Sequence, residues 1–144
     1  MGRDTYSGSM KRKGAKFERE LIHALWNEGF AAVRCAGSGS MSYPLPDIVA
    51  SNGKITIAIE AKVRDKLPLY IQEEKVRELI KFSNIFGAEP LIALKIKGEK
   101  WRFFTIDQLL ETEKGYKIGK DNFYLGKELG EIIGKFHQER LQKY

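Results

Sequence analysis

Over residues 14–28 the apolar side chains Phe17, Leu21, Ile22 and Leu25 recur at spacings of three and four, and Gly29 follows as a stop signal. That spacing predicts an amphipathic helix. Residues 30–36 read as a β-like run, whereas 37–46 are too rich in Gly, Ser and Pro for regular structure and form a candidate functional loop. Residues 47–51 and 54–63 flank Asn52-Gly53, the dipeptide favoured in type I′ hairpins, so two antiparallel strands are expected there. A second helix is predicted over 72–86, with Val76, Leu79, Ile80, Ser83 and Phe86 inward and Gly87 beyond its end. Residues 91–97 and 101–106, separated by Gly98-Glu99-Lys100, repeat the hairpin pattern. A helical turn is expected at 107–111, a long surface loop at 115–126, and a C-terminal helix at 127–142 with Leu129, Ile132, Ile133 and Phe136 on its docking face. The order is αβββαββ plus a C-terminal helix, an α/β chain with a mixed sheet.

One polar residue breaks the first helical pattern. At about 100° per residue, Glu18 projects between Leu25 and Ile22, within the apolar face. A carboxylate aimed into a core is costly unless it is paired, protonated or bound to a cation. The predicted hairpin supplies company for it. With a two-residue loop, Ser51 faces Lys54, and counting back sets Asp47 opposite Ala58 and diagonal to Glu60. Ala58, Glu60 and Lys62 then share a face with Asp47, while Ile57, Ile59, Ala61 and Val63 take the other. Diagonal neighbours lie roughly 7–8 Å apart, within reach of a shared ion. Repulsion between the two carboxylates is relieved by a hard, oxygen-seeking cation such as Mg²⁺ or Mn²⁺. Such an all-oxygen site with one lysine suits phosphodiester hydrolysis, with Lys62 orienting water or stabilising charge. His23 and His137 lack a second ligand at zinc spacing and read as solvated.

Composition narrows the class further. A chain of 144 residues is one ordinary domain, and no apolar run approaches a membrane span, so no membrane partner is expected. Residues 1–10 read as a leader or disordered arm and 11–144 as a single domain. The net charge of +6 favours a polyanionic partner. Cys35 stands alone, which excludes an internal disulfide and fits a cytoplasmic compartment; it reads as a small core residue, with a catalytic thiol as the alternative.

Pro46-Asp47, a gap across one hairpin and Glu60-Ala61-Lys62 resemble the PD-(D/E)xK motif of restriction-endonuclease-like nucleases, whose common core is αβββαβ. Arg12-Lys13-Gly14-Ala15, Glu18-Arg19-Glu20-Leu21, Gly29-Phe30, Val33-Arg34 and Gly37-Ser38-Gly39-Ser40 are similar to archaeal Holliday junction resolvases, a likeness running from about Lys11 to Phe104. The resemblance implies a metal-dependent endodeoxyribonuclease that makes paired nicks in four-way DNA junctions. Glu18, Asp47 and Glu60 would then bind Mg²⁺, with Mn²⁺ substituting, and Lys62 would assist the transition state. Ser38 would be the loop serine needed for cleavage, with Ser40 as the alternative because Met41-Ser42-Tyr43 lengthen the loop. Arg12, Lys13, Arg19 and Arg34 would grip the phosphate backbone. Another nuclease of the same motif class, or a catalytically silent DNA-binding protein, remains as an alternative. Two nicks from a chain with one carboxylate cluster imply a homodimer. At least one ring of Trp101, Phe103 and Phe104 is expected to face away from the core and suit that contact, with core packing as the alternative.

Overall fold

The computed structural model describes the backbone of residues 2–36 and 42–142, with side chains from residue 14 onward. Helix α1 (Gly2–Asn27) buries Leu21 and Leu25 and ends where Gly29 takes a φ of 87°, turning the chain into strand β1 (Ala31–Arg34). The helix begins at Gly2 rather than at residue 14. Periodicity marks a helix only where one face is buried, and the preceding residues carry no apolar period.

Strands β2 (Ile48–Ser51), β3 (Thr56–Arg64), β5 (Glu89–Ile96) and β6 (Arg102–Phe104) complete a five-stranded mixed sheet of order β1-β2-β3-β5-β6. Only the β3–β5 pair is parallel, and the crossover between them passes through β4 (Leu69–Gln72) and helix α2 (Glu73–Phe86). One face packs Ile57, Ile59, Leu91, Ala93 and Phe103 against α1 and helix α3 (Leu129–Gln142). The other packs Ala58, Ile92, Leu94 and Phe104 against Val76 and Leu79 of α2 and against Leu69 and Ile118. Because both faces are covered, Phe103 and Phe104 are both buried. The expectation that a ring of this strand faces away from the core is thereby corrected; Trp101 is itself half-buried.

The hairpin differs from its predicted register. Ser51 pairs with Thr56, so the loop runs from Asn52 to Ile55. The Asn52 side-chain oxygen accepts from the N–H groups of Lys54 (2.9 Å) and Ile55 (2.8 Å), and only Gly53 lies at positive φ. This longer loop lets Ile55 enter the core. The strands slip by two residues against the two-residue-loop expectation, which leaves every side chain on its predicted face.

The stretch expected as a surface loop is instead structured. The helical turn expected at 107–111 is a single 3-10 turn at Ile106–Gln108 that gives way to β7 (Leu110–Thr112), and the 115–126 stretch holds β8 (Gly115–Ile118) and another 3-10 turn at Phe123–Leu125. With β4 these strands form a second sheet of order β4-β8-β7. Asn122 is buried and pins the segment: its amide donates to the carbonyls of Gln108 (2.9 Å) and Lys117 (3.2 Å), and its oxygen accepts from the Gly119 N–H (2.8 Å). A Cβ on Gly115 would sit 2.2 Å from the Ile71 carbonyl, so this close approach of strands admits only glycine. Two smaller corrections concern side chains. Phe86 of α2, expected inward, is 53% exposed, and His137, expected solvated, is half-buried beside the Asn52 amide (3.2 Å).

Candidate active site

Asp47 immediately precedes β2, one residue before the Ile48–Ile59 pair, and its carboxylate lies beside that of Glu60. The Asp47 N–H donates to the Ile59 carbonyl (3.0 Å), and its carboxylate Oδ2 accepts from the Ala61 N–H (2.9 Å), which anchors the side chain across the strand pair. Two residues along β3, Lys62 places Nζ 3.5 Å from Glu60 Oε1. Glu18 reaches the group from α1, with Oε2 3.1 Å from Arg34 Nε at the end of β1. The helix, the hairpin and the edge strand thus converge five polar residues, Glu18, Asp47, Glu60, Lys62 and Arg34, on one end of the sheet. The cavities beside Lys54 and Arg140 (about 290 Å³), Tyr70 and Tyr116 (about 590 Å³) and Trp101 (about 350 Å³) lie away from them.

Electrostatics register the crowding. Burial, then the Asp47 charge, push the Glu60 carboxyl from 4.5 up to about 7, against the pull of Lys62 and Lys75. Glu18 is raised for the same two reasons and is drawn back by Arg34 and Lys62. Cys35, whose N–H donates to the Asp47 carbonyl (2.8 Å), has its thiol pushed up by burial and by Asp47. A raised thiol stays protonated at neutral pH and is a poor nucleophile, which weighs against a catalytic cysteine.

Among the described residues no three His, Cys, Asp or Glu side chains are already drawn into a metal-sized group. Two of the acids are engaged by basic neighbours instead, Glu18 by Arg34 and Glu60 by Lys62. The donor chemistry still fits a hard divalent cation: three carboxylates lie close together, and burial and the Asp47 charge raise the proton affinities of the other two, a cost that such an ion would offset. Of the expected DNA-contact residues, Arg19 is exposed on α1 and Arg34 is exposed on β1. Ser38 and Ser40 lie outside the described residues, as do the side chains of Arg12 and Lys13. Sequence reasoning missed the Arg34–Glu18 ion pair and the placement of Lys75 of α2 near Glu60. Neither had a local signal, because each depends on how a helix docks on the sheet.

An acid at the start of one strand, an acid and a lysine two apart on its partner, and a further acid from the preceding helix define a nuclease core of the restriction-endonuclease-like kind. Comparison with known proteins narrows this. The family model described as archaeal Holliday junction resolvase matches residues 9–141. The crossover junction endodeoxyribonuclease Hjc of Archaeoglobus fulgidus is 51% identical over 131 residues, covering 91% of this chain and 96% of the relative. Its namesake from Methanocaldococcus jannaschii is 37% identical over 131 residues, 90% and 93% of the two chains. The solved structure of Archaeoglobus fulgidus Hjc, a Holliday junction resolvase, superposes with a TM-score of 0.82 at 50% identity, covering 84% of this chain and 98% of that one. The chain belongs to the archaeal Holliday junction resolvase family.

Proposed function

We infer that this chain is a crossover junction endodeoxyribonuclease that cuts four-way DNA junctions by divalent-metal-dependent phosphodiester hydrolysis. The observation that carries the reading is the meeting of Glu18, Asp47, Glu60 and Lys62 at one end of a sheet in a chain of this family. Glu18, Asp47 and Glu60 would hold Mg²⁺, with Mn²⁺ able to substitute. The bound ion would act as a Lewis acid that lowers the pKa of a water and offsets phosphate charge. Asp47 is fixed for this by the Ala61 N–H. Lys62, held beside Glu60, is placed to donate to a phosphate oxygen or to orient the attacking water. Water adds to phosphorus and one bridging P–O bond breaks, leaving a phosphate on one end and a hydroxyl on the other. Ser38, or Ser40 in its stead, would complete the site from the loop, and Arg12, Lys13, Arg19 and Arg34 would grip phosphates.

Two nicks call for two such sites, and a two-fold homodimer supplies them. The end of α2 offers the contact: Phe82 and Phe86 stack at 4.9 Å, and beside them Ile85 is 81% exposed. An apolar cluster left open to water is what a second copy would cover. Among the described residues no helix is long and apolar enough to cross a membrane, and we place the activity on DNA in the cytoplasm, at the nucleoid.

The test is cleavage of an end-labelled four-way junction beside linear duplex of the same sequence, with and without Mg²⁺. Paired nicks in the junction alone, dependent on the metal, are expected. Equal cutting of linear duplex, or metal-independent cutting, would overturn the reading.

A further inference from the structure

We propose that Arg34 is a positioning residue that holds Glu18 back from the metal until a DNA phosphate takes the guanidinium, so that metal and DNA load the site together. The proposal rests on the reading of the carboxylate cluster as a metal site. Arg34 stands at the end of the edge strand β1, on the same face as buried Ala32, and so meets Glu18 on the helix packed over that face. The two partners are unequally placed. The Glu18 side chain is 16% exposed, whereas that of Arg34 is 56% exposed. The contact runs through Arg34 Nε at 3.1 Å, and a guanidinium carries two further amino groups with which a phosphate can pair. A guanidinium matches a phosphate with two parallel hydrogen bonds, and a half-exposed ion pair is weak enough to be exchanged for one.

The exchange matters because the guanidinium and a divalent cation compete for the same carboxylate. While Arg34 holds Oε2, Glu18 offers the cation only its other oxygen, with a fixed positive charge close by. When a phosphate draws Arg34 away, Glu18 is released toward Asp47, the acid whose charge it already feels. The second ion pair of the site behaves differently. Lys62 and Glu60 are 25% and 14% exposed, so that lysine stays within the site and Arg34 is the member poised to move. Binding of DNA and binding of metal are therefore positively coupled, and by linkage each tightens the other.

The test is Mn²⁺ binding to the DNA-free protein, followed by the electron paramagnetic resonance signal of free Mn²⁺, for wild type, R34A, R34Q, E18Q, E18Q/R34A and E60Q. R34A should bind Mn²⁺ about two- to fivefold tighter than wild type, the range an exposed ion pair is worth. R34Q, of similar length, should reproduce the gain if R34A perturbs the edge strand. In the E18Q background the gain should vanish, since there is no carboxylate left to release. Equal affinity in wild type, R34A and R34Q would overturn the proposal, and so would a gain that persisted in E18Q/R34A, which would mark simple charge repulsion. If E60Q bound Mn²⁺ as tightly as wild type, the metal site itself would be wrong and the proposal would fall with it.

Discussion

Replacing Glu60 by glutamine should make the metal-free protein more stable at pH 8 while abolishing cleavage. Burial and the facing Asp47 raise the Glu60 carboxyl from 4.5 to about 7, so between those values the folded chain keeps a proton that the unfolded chain has released. The folded state then binds more protons than the unfolded one, and stability falls as pH rises through this window. Below 4.5 both states are protonated and the penalty is absent; above about 7 it is complete. At about 1.4 kcal/mol for each tenfold change in proton affinity, the penalty is on the order of 3 kcal/mol, a ceiling that relaxation of Asp47 and Lys62 would lower. Glutamine keeps the shape and removes the charge. Urea unfolding in the presence of a chelator should show E60Q more stable than wild type by about 2–3 kcal/mol at pH 8, with little difference at pH 4.5. Added Mg²⁺ should then stabilise wild type and leave E60Q unchanged. The reasoning is refuted if E60Q is no more stable than wild type at pH 8, or if its advantage is the same at both pH values.

D47A and K62A should each lower the cleavage rate by at least about a hundredfold while junction affinity, measured by fluorescence anisotropy, stays within a few-fold of wild type, because the residues proposed to grip phosphates remain. The double substitution R12A/K13A should flatten the plot of log affinity against log salt by about 0.9 for each phosphate no longer neutralised, or about 1.8 if both side chains pair with one each; an unchanged slope would remove them from the interface. If the proposed homodimer forms through the end of α2, replacing Phe86 by glutamate should leave a monomer in sedimentation without lowering stability, since the ring is 53% exposed in the single chain. A dimer that survived this change would move the contact elsewhere.

The site was more legible in the sequence than the strand register that builds it. Asn52-Gly53 pointed to a two-residue loop, but the Asn52 side chain caps a longer one and Ile55 gains a place in the core. Strand faces alternate with period two, so a slip of two residues left Glu60 and Lys62 on their predicted face of β3, and Asp47, just before β2, still comes beside Glu60. Strands β4, β7 and β8 escaped for a different reason. Each is short, β7 and β8 fall in a turn-rich stretch, and the pairing that builds this sheet joins β4 to β8 across more than forty residues. The buried Asn122 that pins this segment reads in the sequence as one more turn residue.

The same inequality that makes Glu60 costly explains why the cluster is arranged as it is. A carboxylate in this position loses hydration and faces another acid, so the free protein needs local compensation. Lys62 supplies it from within the site, and Arg34 supplies it for Glu18 from the exposed edge strand. A hydrophobic residue at position 18 would pack at lower cost, as Leu21 and Leu25 do on the same helix face. Glu18 instead breaks the apolar stripe and accepts a raised proton affinity. Stability alone would select against that choice, which is the cost expected of an acid kept for the ion that the three carboxylates are proposed to share.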